Sequence, residues 1–472
     1  MKKDKIIITK CNFYYPDKNT LINGKILIDE RNENIVILEL SYLDFFINET
    51  KFDGIKLEGR GENGKYYELN DCFLDKVESF LMIGYSRVHL SCKFLIEYES
   101  IYKKNEEVDK VLFEIEKLNF WVNDNNRWKY QKNKKNLKLN FDYGNLWKST
   151  NKGQIISINK NIHTNLNQNK ILEVNFVYTV CFNFQKQKIS IDLIYKNLEK
   201  INNIQTLLML FINKDVDIKN MTFVNSSNKN IAKVFNWKFN YRMTEENSYL
   251  KLWEIISLED VKKDLLNVYN NYIKCKNRLQ ISINSIYTDL SKLNKNINSY
   301  DLIKNVSSSI EGFMRNTRNV LLEENHKKFN EKINRILKSQ NKEDKKWLKE
   351  KLKYSNNASF RKQTKLFFKE IQKKFPNLGD GILNNKNIIN NLIEKFINTR
   401  NFYTHYDLKF NGKILNFYSL IYLCKYINEA MRFLILKELG VNHNILKDKI
   451  EKNINIKNIK KELLKHSYEE SE

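Results

Sequence analysis

The chain is predicted to be an α+β multidomain protein. A β-rich N-terminal region, built as a sandwich or open barrel, leads into an all-α helical bundle. Three observations predict this. Up to about residue 240, short β-branched runs alternate with Gly/Asn turns, the pattern of strands and hairpins. Beyond about residue 300, apolar residues recur at three- and four-residue spacing, the pattern of helices with one buried face. Only two prolines occur, Pro16 and Pro376, so few breaks interrupt either pattern.

Composition narrows the function. A length of 472 residues is enough for two or three domains, each with its own core. Hydrophobic residues make up 42%, which excludes a disordered chain despite the charge. No run of 18 apolar residues occurs, and the start MKKDKIIITK is too polar for a signal peptide. The expected setting is the cytoplasm, with no membrane partner. Six scattered cysteines form no CxxC pair and read as buried thiols, so neither disulfides nor a metal is expected, and no cofactor. Walker, zincin, nucleophile-elbow and EF-hand motifs are all missing. The net charge of +25 is unevenly placed: counting along the chain, residues 1–100 carry −3, residues 301–472 carry +15, and residues 331–400 alone carry +11. A lysine by itself needs only water, but this asymmetry points to a phosphate polymer meeting the C-terminal half.

Taken in order, Ile6-Ile7-Ile8, LINGKILI and ERNENIVILEL read as strands. GIKLEGRGENGKYYEL reads as a hairpin, with Ile55 and Leu57 on one arm, Tyr67 and Leu69 on the other, and GENG as the turn. RVHLSCKFLIEY and VLFEIEKLNFWV are further strands. Residues 127–138, RWKYQKNKKNLK, hold six basic residues around Trp128 and Tyr130. Two readings are open there: an exposed hairpin loop, or a single-stranded nucleic-acid contact in which Arg127 and Lys129 meet phosphate. IISI, ILEVNFVYTVCFNF and KISIDLIY read as strands, the last two paired across a turn near 185–188. LEKINNIQTLLMLF reads as a helix, and NMTFVN and 234–241 as strands. A helix begins after Ser257, an N-cap with Asp260 three residues on. The N-terminal region is set at 1–290, with a break between two subdomains near 130–150. The helical domain is set at 296–465, with 466–472 as a tail.

Within the helical domain, Leu302, Ile303, Val306, Ile310, Phe313 and Met314 share one face. The charged stretch 323–353 has sparse apolar anchors at Phe329, Ile333, Ile336, Trp347 and Leu352. Pro376 breaks the helix KLFFKEIQKKF. Leu420, Leu423, Ile427, Met431 and Leu434 form a last stripe, stopped at Gly440. Residues 441–472 read as a loose helix or a disordered tail.

The stretch 388–406, IINNLIEKFINTRNFYTHY, carries the chemistry. Ile388, Ile389, Leu392, Ile393, Phe396 and Ile397 make one buried helix face, and Arg400 is the next residue on it. A guanidinium stays charged and is costly to bury alone, so either the stripe opens into a polar pocket or the helix leaves the core there. Asn401 and His405, four apart, stack on one face. A cation, an amide and an imidazole are thereby aimed at one spot. Imidazole moves protons near neutral pH as general base or acid, the guanidinium fork clamps phosphate, and the amide positions either. Hence His405 is the expected base or acid, Arg400 the clamp and Asn401 the positioning group. Tyr403 and Tyr406 either stack on bases or belong to the core. His89, His163, His326, His443 and His466 receive no role.

Arg400, Asn401 and His405, with four residues between Arg and His, resemble the signature of the HEPN family. The approach helix, the filling TRNFYTH and the apolar helix ending at Leu439-Gly440 resemble it too. The segments NGKILI, NIVILEL and FDGIKLEGRGENGKYYELNDC resemble the N-terminal domain of ApeA-type HEPN proteins over about the first hundred residues. That resemblance implies a metal-independent endoribonuclease that pairs two Arg–His motifs in a homodimer. It also implies anti-phage defence by abortive infection, cutting tRNA or other host RNA, with a phage-derived trigger met by the N-terminal domain. Two alternatives stand beside it: a non-catalytic RNA- or protein-binding HEPN module, and the ribonuclease toxin of a toxin–antitoxin pair.

Overall fold

Among the described residues, strands predominate up to residue 236, broken mainly by one long helix, and helices follow from residue 258. The computed structural model describes residues 6–14, 21–29, 34–41, 54–80, 85–122, 128–133, 136–141, 144–151, 154–166, 172–236, 255–291, 298–320, 326–352, 357–405, 410 and 413–469. The chain divides into two units, 1–208 with 216–250, and 209–215 with 251–472. The boundary expected near 290–300 thus stands beside a division at 250, and the helices at 258–291 group with the second unit.

In the first unit the strands are β1 (Ile6–Tyr14), β2 (Leu21–Asp29), β3 (Asn34–Ser41), β4 (Ile55–Gly61), β5 (Tyr66–Phe80), β6 (Tyr85–Tyr98) and β7 (Val108–Ile115). After them come β8 (Trp128–Asn133), β9 (Asn136–Phe141), β10 (Gly144–Asn151), β11 (Gln154–Leu166), β12 (Leu172–Gln187), β13 (Ile218–Val224) and β14 (Asn230–Asn236). Twelve of these strands form one antiparallel sheet in the order β10-β11-β12-β7-β13-β14-β6-β3-β2-β1-β4-β5, and β5 returns to pair with β6. Strands β1–β6 therefore close into a ring, and the rest extend from β6 as an open sheet. The ring has no free edge among its own strands. It is filled by Phe13, Leu57, Tyr67, Leu69, Val88, Leu90 and Leu95.

The expected hairpin is β4–β5, with Leu57 opposite Leu69 and Gly59 opposite Tyr67. Gly59 is required for closure, because a Cβ there would meet Asn12 O and Phe13 Cδ1 of β1 at 2.7 Å. Strands β10–β12, beyond the break expected near 130–150, belong to the same sheet as β7. Residues 128–133 and 136–141 pair with each other as a separate two-stranded sheet, β8–β9.

Two expected strands are corrected. VLFEIEKLNFWV is strand only to Ile115, and its end is a one-turn helix, α1 (Leu118–Val122), with Leu118, Trp121 and Val122 buried. KISIDLIY does not pair with β12; it opens α2 (Ile191–Ile212), while β12 pairs with β11 and β7. Its apolar residues are spaced to continue the periodicity of LEKINNIQTLLMLF, and the helix wins once that whole length is counted.

The second unit starts with α3 (Leu258–Val261), where Ser257 and Asp260 form the expected capping box. Then follow α4 (Leu265–Ser291), α5 (Ser299–Arg318), α6 (His326–Lys338), α7 (Lys342–Leu352), α8 (Phe360–Lys374) and α9 (Pro376–Gly379). The last are α10 (Lys386–His405), α11 (Phe417–Glu438), α12 (His443–Lys452) and α13 (Ile454–Glu469). Helix α11 is central and packs on α4, α5, α12 and α13, whereas α10 packs on α5 and α8. Gly440 stops α11 with φ +93°, and Val441 N returns a hydrogen bond to Leu436 O. Two readings of this half change. Ile336 and Trp347, expected as apolar anchors, are exposed. Residues 441–469 are ordered helices rather than a loose tail, because Leu446, Ile450, Ile456 and Leu463 are buried. No described helix is long and apolar enough to cross a membrane.

Candidate active site

Helix α10 starts where Asn385 Oδ1 accepts from the backbone N–H of Asn387 and Ile388. Leu392, Ile393, Phe396 and Ile397 bury its apolar face, as their spacing requires. The final turns are held by Thr399, which is fully buried. Its Oγ1 donates to Lys395 O at 2.7 Å and accepts from Leu415 N at 2.9 Å, tying α10 to the segment that begins α11.

Arg400 follows. The stripe opens there, and the guanidinium lies at the margin of the core with its side chain 26% exposed. Nη1 donates to Asn401 Oδ1 at 3.2 Å, and Nη2 lies 3.8 Å from Glu311 Oε1 on α5. The guanidinium carbon sits 5.3 Å from the ring centre of Phe360, and that ring packs on Phe396. Among the described residues, neither polar contact is a short bidentate fork of the kind that satisfies a guanidinium. Asn401 is half-buried and His405, the last residue of α10, is exposed. The helix rise places Asn401 and His405 about 6 Å apart along one face.

Around this group, Tyr403 packs edge-on against Phe402 at 5.3 Å between ring centres. Tyr403 also lines a cavity of about 440 Å³ with Lys395, Ile414, Asn416 and Phe417. Phe417 and Tyr418 are exposed next to each other at the start of α11. Tyr418 and Tyr422 stack on His466, at 5.3 and 5.9 Å.

The structure therefore gathers Arg400, Asn401, Tyr403 and His405 on the last turns of one helix. Tyr406 and Arg127 lie outside the described residues. Lys129 is on β8 in the other unit, and its side chain is likewise outside them. Glu311 and Phe360, the two neighbours of Arg400 from other helices, were not singled out by sequence reasoning. Glu311 looks like any surface acid on the polar side of α5, and only packing brings it to Arg400. Among the described residues, no group of three or more His, Cys, Asp or Glu is gathered as a metal site.

Residues 305–445 match the family model described as Apea-like HEPN. The C-terminal half of the chain contains an Apea-like HEPN domain. The match spans α5 to α11 and includes Arg400, Asn401 and His405 within it. No curated protein and no solved structure gives a significant match to the chain.

Proposed function

We propose that this protein is a metal-independent HEPN endoribonuclease that acts in the cytoplasm as a homodimer. In this reading it cuts tRNA or other host RNA and so aborts phage infection. The observation that carries it is the end of α10, where the Arg400 guanidinium touches the Asn401 amide and the exposed His405 imidazole follows one turn on, inside the Apea-like HEPN segment.

RNA supplies its own nucleophile. The ribose 2′-oxygen attacks the adjacent phosphorus as a base takes its proton. The bond to the 5′-oxygen then breaks as an acid protonates it, leaving a 2′,3′-cyclic phosphate. His405 of one protomer serves as base and His405 of its partner as acid, which is why a single copy is insufficient. Arg400 holds the non-bridging oxygens and neutralises the charge that gathers on them. Asn401 keeps the guanidinium in place through the 3.2 Å contact. Tyr403 borders the substrate beside the cavity it lines. The N-terminal unit is the part that meets a phage-derived trigger.

The test incubates the full-length protein with labelled tRNA and total RNA in excess EDTA. Cleavage is expected to persist, and to fall about 10²–10³-fold in Arg400→Ala and in His405→Ala. Abolition by EDTA, or undiminished cleavage by both variants, sinks the reading.

A further inference from the structure

In the first unit, β10, β11, β12, β7, β13 and β14 run side by side, and their register decides what each face presents. One row across all six reads Lys148, Ser157, Cys181, Leu112, Thr222 and Lys233, each opposite the next. Two residues along, or three on β10 where the register shifts, the row reads Asn145, Asn159, Thr179, Glu114 and Asn220. Opposed residues point to the same side, so this face is polar. The reverse face presents Ile158, Val180, Phe113 and Met221, all buried.

A polar face on an antiparallel sheet ordinarily meets water. The centre of this one is largely withdrawn from it. Ser157, Thr179 and Cys181 are 5%, 6% and 4% exposed, and they line a cavity of about 1130 Å³. Thr179 Oγ1 and Asn159 Oδ1, neighbours across β11 and β12, are sealed from solvent and have no hydrogen-bond partner. Orphaned buried polar atoms are rare in folded proteins, and a ligand that bonds to them offsets their cost.

The surroundings say what that ligand is. Among the described lining residues, three lysines, Lys110, Lys148 and Lys233, stand against one carboxylate, Glu114, which accepts from Asn220 Nδ2 at 2.7 Å. Lys110 Nζ donates to Asn228 Oδ1 at 2.8 Å and keeps two further N–H groups. The excess of positive charge suits phosphate. The remaining lining is rich in amides and hydroxyls, which both donate and accept, as sugar hydroxyls do. None of the described lining residues is aromatic, so a base finds no stacking platform.

We propose that this cleft binds a phosphorylated sugar, either free or as the ribose-phosphate part of a nucleotide. The lysines hold the phosphate, and Asn159 and Thr179 hold the hydroxyls. The site is independent of the nuclease reading and stands or falls without it.

Calorimetric titration of the full-length protein with ribose 5-phosphate, AMP and unphosphorylated ribose tests it. Saturable binding of ribose 5-phosphate or AMP, and none of ribose, is expected; the tighter of the two binders identifies the source. Thr179→Val keeps the β-branched shape and removes only the orphaned hydroxyl. It should weaken binding about tenfold without lowering the melting temperature of the ligand-free protein. Lys148→Ala, at an exposed side chain, should weaken binding and flatten its salt dependence. No saturable binding of either phosphorylated compound at millimolar concentration overturns the proposal. So does unchanged affinity in both variants.

Discussion

Arg400 and Arg432 lie on consecutive helices of the C-terminal unit in opposite circumstances. Arg432, on α11, is fully buried. Nε and Nη2 donate to Glu429 Oε2 at 3.2 and 3.0 Å, Nη1 donates to Leu210 O at 3.0 Å, and the ring of Phe433 lies 4.4 Å from the guanidinium carbon. Arg400, on α10, is partly exposed, and its polar contacts among the described residues are a 3.2 Å hydrogen bond to Asn401 and a 3.8 Å ion pair with Glu311. The same side chain is a structural rivet where a carboxylate, a carbonyl and a ring saturate it. Arg400, held among the described residues only by a 3.2 Å hydrogen bond and a 3.8 Å ion pair, is the arginine assigned to substrate in the proposed reaction. Arg318 is a second rivet: its guanidinium bridges Glu370 and Glu438.

The contrast can be broken in order of expected effect. Arg432→Ala leaves the Glu429 carboxylate without its buried partner and should cost about 3–5 kcal/mol in urea unfolding. A double replacement of Arg432 and Glu429 by leucine should recover much of that loss. Arg400→Ala and His405→Ala should show the reverse profile, with the large loss in RNA cleavage and a urea midpoint close to wild type. If Arg400→Ala unfolds the protein as Arg432→Ala does, the distinction between the two arginines fails.

Thr399→Val should cost about 1–2 kcal/mol, since it strips the hydroxyl that joins Lys395 O to Leu415 N. It should also depress cleavage, by loosening the turn that carries Arg400. The smallest effect is in pH. Burial by itself would raise the Glu370 and Glu438 carboxyls, but hydrogen bonds from Arg318 and Lys374 outweigh it and hold both below the ordinary 4.5. Depressed carboxyls stabilise the fold above pH 4.5 and lose that contribution as pH falls through their folded values. Thermal melting followed downward from pH 6 should therefore steepen below about 4.5, and Glu370→Gln should flatten that slope. A slope unchanged by Glu370→Gln would remove Arg318 from the comparison.

Legibility followed the length and regularity of the pattern. The β4–β5 hairpin was readable because Leu57 and Leu69 alternate on either side of a glycine turn. Helix α10 was readable from six apolar residues on one face, and the start of α3 from Ser257 and Asp260. KISIDLIY failed because a short apolar run fits strand and helix equally well. Ile336 and Trp347 failed because an apolar residue on a helix states only that burial is available to it, and neither found a partner surface. The polar face shared by β7 and β10–β14 was missed because its residues are scattered over six strands and only their register assembles them.

The amino-acid order alone settled part of what is local: the β4–β5 hairpin, the long helices with one apolar face, which end of the chain is basic, and that Arg400, Asn401 and His405 close one helical stretch. Those depend on periodicity and spacing within a few turns of backbone. Tertiary structure alone decided which arginine is saturated and which lies at the margin of the core, that Glu311 and Phe360 attend Arg400, and that Thr179 and Asn159 are sealed without partners. Saturation and desolvation are set by groups brought together from distant parts of the chain, and no local pattern encodes who those neighbours are.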